Sequence, residues 1–452
     1  MYFSRLMISG QKTILKRIGR IRPGISLITI YLLVILVSAA LLALPFSRQA
    51  PVAFVDCLFT TASAITITGL VTVDTATVWS PIGKTIILIL IQLGGIGIMS
   101  ITTISFLSVG RLSLSMERLY FQELTGTQKI ANAISLVKKI VLVTFLIEGV
   151  GAVFIFFDLV NSLPPLEAAL SAIFHAVSAF CNAGFVLQSD SYMSFQSNTY
   201  FLLVNSAMII AGGLGFLVLV ELWDCAFYQK GRRKYSLHLR LVIKMALILV
   251  FGGAALLWST SEFDFMQALF HSINARSGGF NTLDLSTATL PAIGLLIVLM
   301  YIGAAPGSTG GGIKTTSLAT IVALAVQRFR GENNVTLMNR TIPTNLVIRA
   351  VAVALIGIAA IGLATGMLVV FQTIDQPAPA NLLRDALFEA TSAICTVGLS
   401  MGMTQELTTA SKFTLIGAMV VGRLGFLTVA YGLAASPKLD KIRAAEGAPM
   451  IG

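Results

Sequence analysis

The sequence predicts an all-α integral membrane protein built from four copies of one unit. Only 11% of its 452 residues are charged and 56% are hydrophobic, whereas a soluble domain carries about 25% charged residues. A short motif also recurs four times between long apolar runs. Because internal repetition constrains architecture more than any single residue does, we expect four similar walls around one axis.

The repeated motif begins with Phe, has Ser or Asn four residues later, and ends in Gly-Leu or Gly-Phe. Its copies run from Phe59 to Leu70, Phe174 to Phe185, Phe270 to Phe280 and Phe388 to Leu399. Each copy is too short to cross about 30 Å of hydrocarbon. Non-helical backbone is tolerated at membrane depth only where it is buried or lines a cavity. The motif therefore predicts a short re-entrant helix that ends in an extended strand.

Apolar runs on both sides of each motif predict eight membrane crossings. The runs lie at 24–44, 80–109, 137–160, 197–228, 239–259, 290–327, 345–373 and 411–435. The first run is too long for the apolar part of a signal peptide, so we interpret it as a retained span. The chain then divides into an N-terminal tail (1–23), repeat 1 (24–109), repeat 2 (137–228), repeat 3 (239–328), repeat 4 (345–435) and a C-terminal tail (436–452).

The distribution of charge predicts the orientation. Most of the 31 Lys and Arg residues fall in the tails and in alternate loops, which indicates cytoplasmic termini in a multi-pass protein of the plasma membrane. The opposite side carries the four motifs and more than half of the 20 Asp and Glu residues. An acidic vestibule there would concentrate cations. Basic cytoplasmic loops account for the net charge of +11, so no nucleic acid partner is expected.

The glycine that ends each motif points to a chemical role. Glycine adopts backbone angles that other residues resist, so it can turn consecutive carbonyls toward an axis. A ring of carbonyls can replace the hydration shell of a monovalent cation. In the fourth copy, Thr396-Val397-Gly398 matches the first half of the potassium-channel string TVGYG. Close helix packing is the alternative role for these glycines, but packing does not explain four copies on one side.

These motifs resemble the Trk/Ktr/HKT superfamily of potassium transporters over essentially the whole chain, and most closely the membrane subunit of a Ktr-type uptake system. The resemblance implies four M1–pore-loop–M2 repeats, with eight spans and four re-entrant pore helices, in a pseudo-fourfold arrangement around one pore. The implied potassium filter comprises Ile67, Thr68, Gly69, Asn182, Ala183, Gly184, Ser277, Gly278, Gly279, Thr396, Val397 and Gly398. Sodium-selective plant relatives have Ser at the first filter glycine, so Gly69 favours potassium.

A glycine block in the second apolar run of each repeat predicts where one helix breaks. The third repeat is several residues longer than the others, and Pro306 removes a helical hydrogen bond there. Only this repeat is expected to have a broken second helix, with a loop at 303–316. The family resemblance implies an intramembrane gate at that loop, and a passive kink is the alternative. The implied gate residues are Gly303, Pro306, Gly307, Gly310, Gly311, Gly312, Lys314 and Arg423.

Charged residues inside the spans are candidates for function, because intramembrane charges are costly. Lys314 and Arg423 would repel potassium or pair with loop carbonyls, although Lys314 has the alternative of reaching the cytoplasmic surface. The remaining candidates are interpreted as groups that bond helix to helix or pack: Glu148, Glu221, His175 and His271.

The segment from Gly307 to Gly312 has the two glycines of a Walker A motif, but Ile313 stands where Lys must follow. No enzymatic activity is therefore expected. The family resemblance implies potassium as the transported ion, sodium as a candidate regulator, and no covalently bound cofactor. It also implies membrane lipid, a homodimer partner and a cytosolic Rossmann-type nucleotide-binding ring.

Three other functions compete with this interpretation. One is a sodium-permeable or ion-coupled symporter of the same superfamily. Another is an inverted-repeat carrier, which would have broken helices at corresponding positions of its two halves; four parallel repeats with one broken helix argue against it. A purely structural scaffold has no use for filter glycines.

Overall fold

The computed structural model describes residues 23–109, 130–227, 235–375 and 380–425. The predicted C-terminal tail (436–452) and nearly all of the predicted N-terminal tail lie outside these residues. The described part is mostly helical, and it contains a short hairpin in which β1 (Thr336–Leu337) pairs antiparallel with β2 (Arg340–Thr341).

Most of the α-helices are either long apolar helices or short helices that carry the motif. In chain order they are α1 (Pro23–Leu42), α2 (Phe54–Ile65), α3 (Thr75–Val78), α4 (Pro81–Val109), α5 (Ile130–Leu159), α6 (Pro165–Phe180), α7 (Thr199–Gly213), α8 (Phe216–Phe227), α9 (Leu237–Trp258), α10 (Phe265–Asn274), α11 (Leu290–Tyr301), α12 (Thr315–Phe329), α13 (Thr344–Asp375), α14 (Leu382–Ile394) and α15 (Thr409–Leu424). Single turns of 3-10 helix occur at Pro45–Ser47, Met193–Phe195, Leu285–Thr287 and Met403–Glu406.

The first part of each motif copy forms the C-terminal part of a short helix, α2, α6, α10 or α14, and these helices occupy the core. The Phe that begins each motif copy is buried; these residues are Phe59, Phe174, Phe270 and Phe388. Each short helix packs against the long helix that precedes it in the chain. The pairing follows from the sequence, because the connections between these helices are short.

Contacts between repeats form a closed circuit. Each short helix also contacts the long helix that follows the previous short helix: α6 contacts α4, α10 contacts α7, α14 contacts α11, and α2 contacts α15. An ion pair of 2.6 Å between Asp56 on α2 and Lys412 on α15 lies at the last of these contacts. The first and fourth repeats are therefore neighbours, although their residues are far apart in the chain.

By length and composition, three helices in the described part of the chain can cross a membrane. They are Val137–Leu159, Leu237–Trp258 and Thr344–Ile374, and the bent pair Thr199–Gly213 with Phe216–Ala226 adds a fourth. Large apolar side chains are exposed along these helices, as at Phe157 (61%) and Leu363 (68%). Exposed apolar surface on this scale is typical of a lipid-facing protein. The full set of eight crossings remains a prediction.

The second repeat also contains a broken helix, so the expectation that only the third repeat has one is wrong. Helix α7 ends at Gly213, α8 begins at Phe216, and the two are bent by 101°. The bend has a local cause, since Gly215 has a left-handed φ of +89°. The freed backbone N–H of Phe216 donates to the carbonyl of Gly307, 2.9 Å away in the third repeat.

The third repeat is interrupted between α11, which ends at Tyr301, and α12, which begins at Thr315. The connecting segment is called here the 302–314 loop. The predicted loop is 303–316, so the observed segment starts one residue earlier and ends two residues earlier than predicted. Thr315 and Thr316 are helical because the chain returns to the start of the loop before them: Thr315 donates its N–H to the carbonyl of Ala304 at 3.2 Å.

Candidate functional site: a ring of four glycines

The four motif glycines lie beside one another in a closed ring. Each has a left-handed φ, between +70° and +97°. The side of each glycine where a Cβ would stand faces the residue before the next glycine. An ideal Cβ built on each glycine would lie close to the carbonyl oxygen of that residue. The distances are 2.6 Å from Gly69 to Ala183, 3.2 Å from Gly184 to Gly278, 2.4 Å from Gly279 to Val397, and 2.1 Å from Gly398 to Thr68. Three of these distances are under 3.0 Å, which real Cβ atoms essentially never show, so the ring requires glycine.

The residue two before the glycine is strained in three of the four loops. Ile67, Asn182 and Thr396 have φ values of 49°, 56° and 48°. A positive φ is a genuine outlier for a β-branched residue such as Ile67 or Thr396. Such strain persists only where the surrounding structure holds it, and it clusters at functional sites. The third copy is one residue shorter, and its equivalent residue, Ser277, does not have a positive φ.

The Ser or Asn of each motif fixes the loop that follows its short helix. The bonds run from Gly69 N–H to Ser63 (3.0 Å), from Ser178 to the Phe185 carbonyl (2.6 Å), from Asn274 to the Phe280 carbonyl (2.5 Å), and from Gly398 N–H to Ser392 (3.0 Å). All four side chains are fully buried. These positioning residues are missing from the predicted site, although their recurrence in the motif is the signal that identifies them.

The glycine blocks of the long helices sit behind the loops. An ideal Cβ on Gly94 would lie 2.2 Å from the carbonyl oxygen of Ile65, the last residue of α2. Gly212 and Gly422 abut the carbonyls of Phe180 and Ile394 in the same way, at 1.8 Å and 1.9 Å. Glycine therefore lets a long helix touch the C-terminal end of the short helix in its own repeat.

A cavity of about 210 Å³ opens on one side of the ring. All four ring glycines line it, together with residues that follow them in each loop. The charged residues among its lining are Asp74, Asp190 and Asp284, and all are acidic. Negative charge around a recess raises the local concentration of cations.

The 302–314 loop lies at the opposite end of the ring, because it touches residues that precede the glycines. An ideal Cβ on Gly310 would be 2.7 Å from Ser277, and one on Gly311 would be 2.4 Å from the Thr396 hydroxyl. The loop is closed at its base, where Ile313 donates its N–H to the Tyr301 carbonyl at 3.0 Å. Gly312, with φ +67°, makes this return possible.

The tip of the 302–314 loop is bonded to the bent second repeat. The N–H groups of Ala305 and Thr309 donate to the carbonyls of Gly213 (3.1 Å) and Gly212 (3.4 Å). The carbonyl oxygen of Pro306 lies 2.7 Å from an ideal Cβ position on Gly215. The break in α7–α8 and the break in α11–α12 are thus complementary, since each supplies partners for the backbone groups that the other frees.

Thr309 connects this loop directly to the predicted filter. In the amide orientation that satisfies both of its ends, Asn182 accepts hydrogen bonds from the hydroxyls of Thr309 and Ser277, each at 3.0 Å. The same amide donates to the carbonyls of Ala179 at 2.9 Å and Ile209 at 3.2 Å. One buried side chain therefore joins two filter loops and the tip of the 302–314 loop.

Both predicted gate cations bond to carbonyls of the loop. Arg423, 9% exposed at the end of α15, donates to the carbonyl of Thr309 and, at 2.7 Å, to that of Gly94. Lys314 donates to the carbonyl of Gly310 at 2.5 Å. Both charges therefore pair with carbonyls, as one of the expected roles requires, and a role in repelling potassium stays a prediction.

This arrangement matches a known family along most of the chain. The model of the cation transport protein family TrkH matches residues 20–263 and 239–442. The chain belongs to this family. It is 35% identical to the Ktr system potassium uptake protein B of Vibrio alginolyticus, over 91% of this chain and 91% of that protein. It is 33% identical to the potassium/sodium uptake protein NtpJ of Enterococcus hirae, over 93% and 95%.

A solved structure supports the same assignment at the level of fold. The crystal structure of the potassium transporter TrkH from Vibrio parahaemolyticus superimposes with a TM-score of 0.68, over 91% of this chain and 84% of that one. The two sequences are 18% identical, so this comparison speaks for the fold alone. The resemblance drawn from the motifs is confirmed at the level of the family.

The other sequence candidates of this TrkH-family chain have structural partners. Glu148 on α5 accepts from Gln92 on α4 at 2.9 Å, and Glu221 on α8 accepts from Ser236, just before α9, at 2.6 Å. The expectation of helix-to-helix bonding is confirmed for both. His271 bonds Thr282 at 2.8 Å, and His175 packs against Tyr192 and Phe201.

One buried charge near the ring was missed by sequence reasoning. Arg276 directly precedes the filter residue Ser277 and is 8% exposed. It falls inside the third motif copy, where Thr66, Cys181 and Cys395 occupy the equivalent position. Aligning the four copies column by column reveals it as the only charge in that column, whereas a search for charges within long apolar runs passes over it.

Proposed function

We propose that this TrkH-family protein takes up potassium through a channel-like filter formed by the four glycine loops. The observation that carries the proposal is the closed ring, in which each glycine lies against the carbonyl of the residue before the next one. Four such carbonyls, with those of the residues before them, would replace the hydration shell of K⁺. Three of the relatives are named potassium uptake proteins, which agrees with this ion.

The architecture that suits this function has eight spans and four re-entrant helices in a pseudo-fourfold arrangement around one pore. The closed circuit of contacts between short and long helices supports it. With both termini in the cytoplasm of a plasma-membrane protein, the acidic cavity faces outward and collects cations before they enter the filter. Potassium then moves from the acidic side toward the 302–314 loop.

The 302–314 loop serves as the gate in this proposal. It lies against the pre-glycine residues of the third and fourth loops and reaches the second through Asn182. Arg423 holds the Thr309 carbonyl from the fourth repeat, so the loop is retained by groups outside its own helix pair. Movement of the loop toward α8 would open the path, and breaking the Arg423 bond would favour that movement.

Ion flux with purified protein tests the proposal. Proteoliposomes should accumulate ⁸⁶Rb⁺, and added K⁺ should compete with it much more strongly than Na⁺ does. Replacing Gly279 by Ala should abolish the flux, whereas replacing Gly252, which has open space around it on α9, should leave it intact. Equal flux through both variants would contradict a filter at the ring.

Assembly with other subunits belongs to the same proposal. Relatives are named as components of Ktr systems, which favours a homodimer that docks on a cytosolic Rossmann-type nucleotide-binding ring, with sodium as a regulator and no covalently bound cofactor. Docking through the basic cytoplasmic loops should weaken as salt increases. A monomer by light scattering that binds no such ring at low salt would oppose this assembly.

A second candidate function is transport of sodium as well as potassium, either through the same pore or as a coupled symport. The Enterococcus hirae relative is named a potassium/sodium uptake protein, which favours this candidate. Parallel ²²Na⁺ and ⁸⁶Rb⁺ uptake separates the two functions. Sodium flux that equals rubidium flux, or rubidium flux that needs sodium, would favour this second candidate.

A further inference from the structure

Arg276 is a buried cation that lacks a partner in the part of the chain that the structure describes. Its side chain is 8% exposed, and its Nε atom is buried with no hydrogen-bond acceptor. Arg423 and Lys314, the other two cations near the ring, each bond to a backbone carbonyl. A buried N–H donor without an acceptor is unfavourable, so an acceptor bound beside Nε would stabilise this side chain.

The Arg276 side chain lines a small cavity between the second and third repeats. Most of the wall is apolar and comes from α7, α9 and α10, with Ile209, Val242 and Ile273 as examples. Its polar side chains are Arg276, Ser277 and Thr315, and its lining includes no acidic residue. The cavity therefore holds hydrogen-bond donors and a positive charge, but no side chain that balances the charge.

Thr315 adds a second, independent sign of a ligand. Its hydroxyl is buried without a partner, and its side chain lines the same cavity. Thr315 is also the first residue of the 15-residue helix α12, whose N-terminus has no side-chain cap, and whose first N–H, that of Thr315, donates to the Ala304 carbonyl. A helix N-terminus attracts negative charge through its free N–H groups and its dipole.

We propose that Arg276 and Thr315 bind a small monovalent anion of halide size, such as chloride. The narrow, mostly apolar cavity suits a single atom with one charge, whereas a phosphate would bring several oxygens that need more donors than the wall offers. A bound anion would pair with the guanidinium next to Ser277. Binding in itself is independent of the proposed transport function.

The anion also has a consequence for the filter, and this part rests on the proposed function. An unpaired positive charge one residue before Ser277 repels a cation in the ring, and the repulsion is strong where water is excluded. A bound anion neutralises that charge. Rubidium flux should therefore be several-fold faster with chloride or bromide than with gluconate at the same ionic strength.

The first test measures binding on the purified full-length protein. Potassium gluconate is replaced stepwise by potassium bromide at constant ionic strength. The midpoint of thermal unfolding of the protein should rise with bromide and then saturate. Arg276→Gln should lose this rise, and the control Arg330→Gln, at an exposed arginine after α12, should keep it. A bromide response that is absent in the unaltered protein, or unchanged in Arg276→Gln, would overturn the site.

A second measurement does not depend on a variant that folds. Crystals of the unaltered protein soaked in bromide should show an anomalous peak within hydrogen-bond distance of Arg276 and Thr315, and no peak there would overturn the proposal. Equal rubidium flux in bromide and gluconate, with bromide bound, would overturn the electrostatic consequence alone. Bromide binding without rubidium flux in either salt would instead reject the transport function and support the anion site.

Discussion

The filter loops and the 302–314 loop are both glycine-rich, but they are held in different ways. Each filter loop takes its decisive hydrogen bond from a Ser or Asn six or seven residues from the bonded group, such as Ser392 for Gly398. The 302–314 loop closes its own base, yet its tip is bonded to Gly212, Gly213 and Phe216 of the second repeat and to Arg423 of the fourth.

This difference indicates which of the two regions can move. A loop fixed by its own short helix keeps its shape when neighbouring repeats shift, which suits a filter that must hold a constant geometry. A loop whose tip depends on two other repeats responds to any movement between them. Elements that switch are drawn from the less stable parts of a structure, and we expect the 302–314 loop to be one of them.

The largest effect is expected at the point where the ring is tightest. Gly398→Ala places a Cβ 2.1 Å from the Thr68 carbonyl, so one filter loop must shift and flux should fall at least a hundredfold. Gly402→Ala is the matched control, since its φ of +93° is equally strained but nothing lies within 4 Å. Rubidium uptake measures both variants, and an equal loss of uptake in the two would contradict the account.

Deletion of Pro306 to Gly310 should raise basal flux several-fold, because it removes the loop tip and its bonds to the second and fourth repeats. Arg423→Ala should raise flux less, since it removes only the anchor of the Thr309 carbonyl. Flux in proteoliposomes, with and without a regulatory partner, measures both. The passive-kink alternative predicts instead misfolding or loss of transport with no gain in flux. A deletion variant that folds normally and conducts no faster than the parent would contradict the gate.

Gly69→Ser should admit more sodium. Its Cβ would lie 2.6 Å from the Ala183 carbonyl, so the first wall of the ring moves outward and one set of carbonyls loses its spacing. The ratio of rubidium to sodium uptake in a potassium-uptake-deficient host should fall. An unchanged ratio at normal expression would exclude Gly69 from the filter.

Ser392→Ala should have a moderate effect on selectivity. It leaves the buried N–H of Gly398 without its acceptor at 3.0 Å, which costs about 1 kcal/mol of stability, so the filter loop should hold its carbonyls less firmly and the ratio of rubidium to sodium uptake should fall. Ser272→Ala is the control, because Ser272 is equally buried on α10 but bonds the Val250 carbonyl of α9 at 2.7 Å. A larger selectivity change in the control would contradict the assigned role of Ser392.

The smallest effect is expected at the acidic rim. Burial raises the pKa of Asp74, but hydrogen bonds from Ser189, Ala76 and Thr77 and the charge of Lys84 outweigh it, so the pKa lies below its usual value of 3.8. Ser189→Ala removes one of these bonds and should lower stability by less than about 1 kcal/mol. Because a depressed carboxyl pKa stabilises the fold above the unfolded value, this difference should be full at pH 7.

The same difference should disappear as the pH falls through the folded pKa of Asp74, where the carboxyl is protonated in both proteins. Thermal midpoints of the two proteins against pH measure it, with the exposed Ser197→Ala in the same connection as control. A gap between Ser189→Ala and the parent that widens in acid would contradict the sign of this pKa shift.

The sequence predicted the ring better than the elements that surround it. Four motif copies in register are strong evidence for equivalent short helices, because the same Phe, Ser or Asn, and Gly are needed each time. The bend at Gly215 was missed because a glycine block is compatible with a straight helix, and only the partner carbonyl of Gly307 decides between them. Arg276 was missed for a similar reason, since its burial depends on helices from other repeats.

Direct observation of the ion tests the central claim most clearly. Crystals grown with rubidium should show anomalous density on the axis between Gly69, Gly184, Gly279 and Gly398, at coordination distance from the carbonyls of the preceding residues. Replacing rubidium by sodium should remove or weaken that density. Rubidium bound only in the outer acidic cavity, with none at the ring of the unaltered protein, would contradict the account.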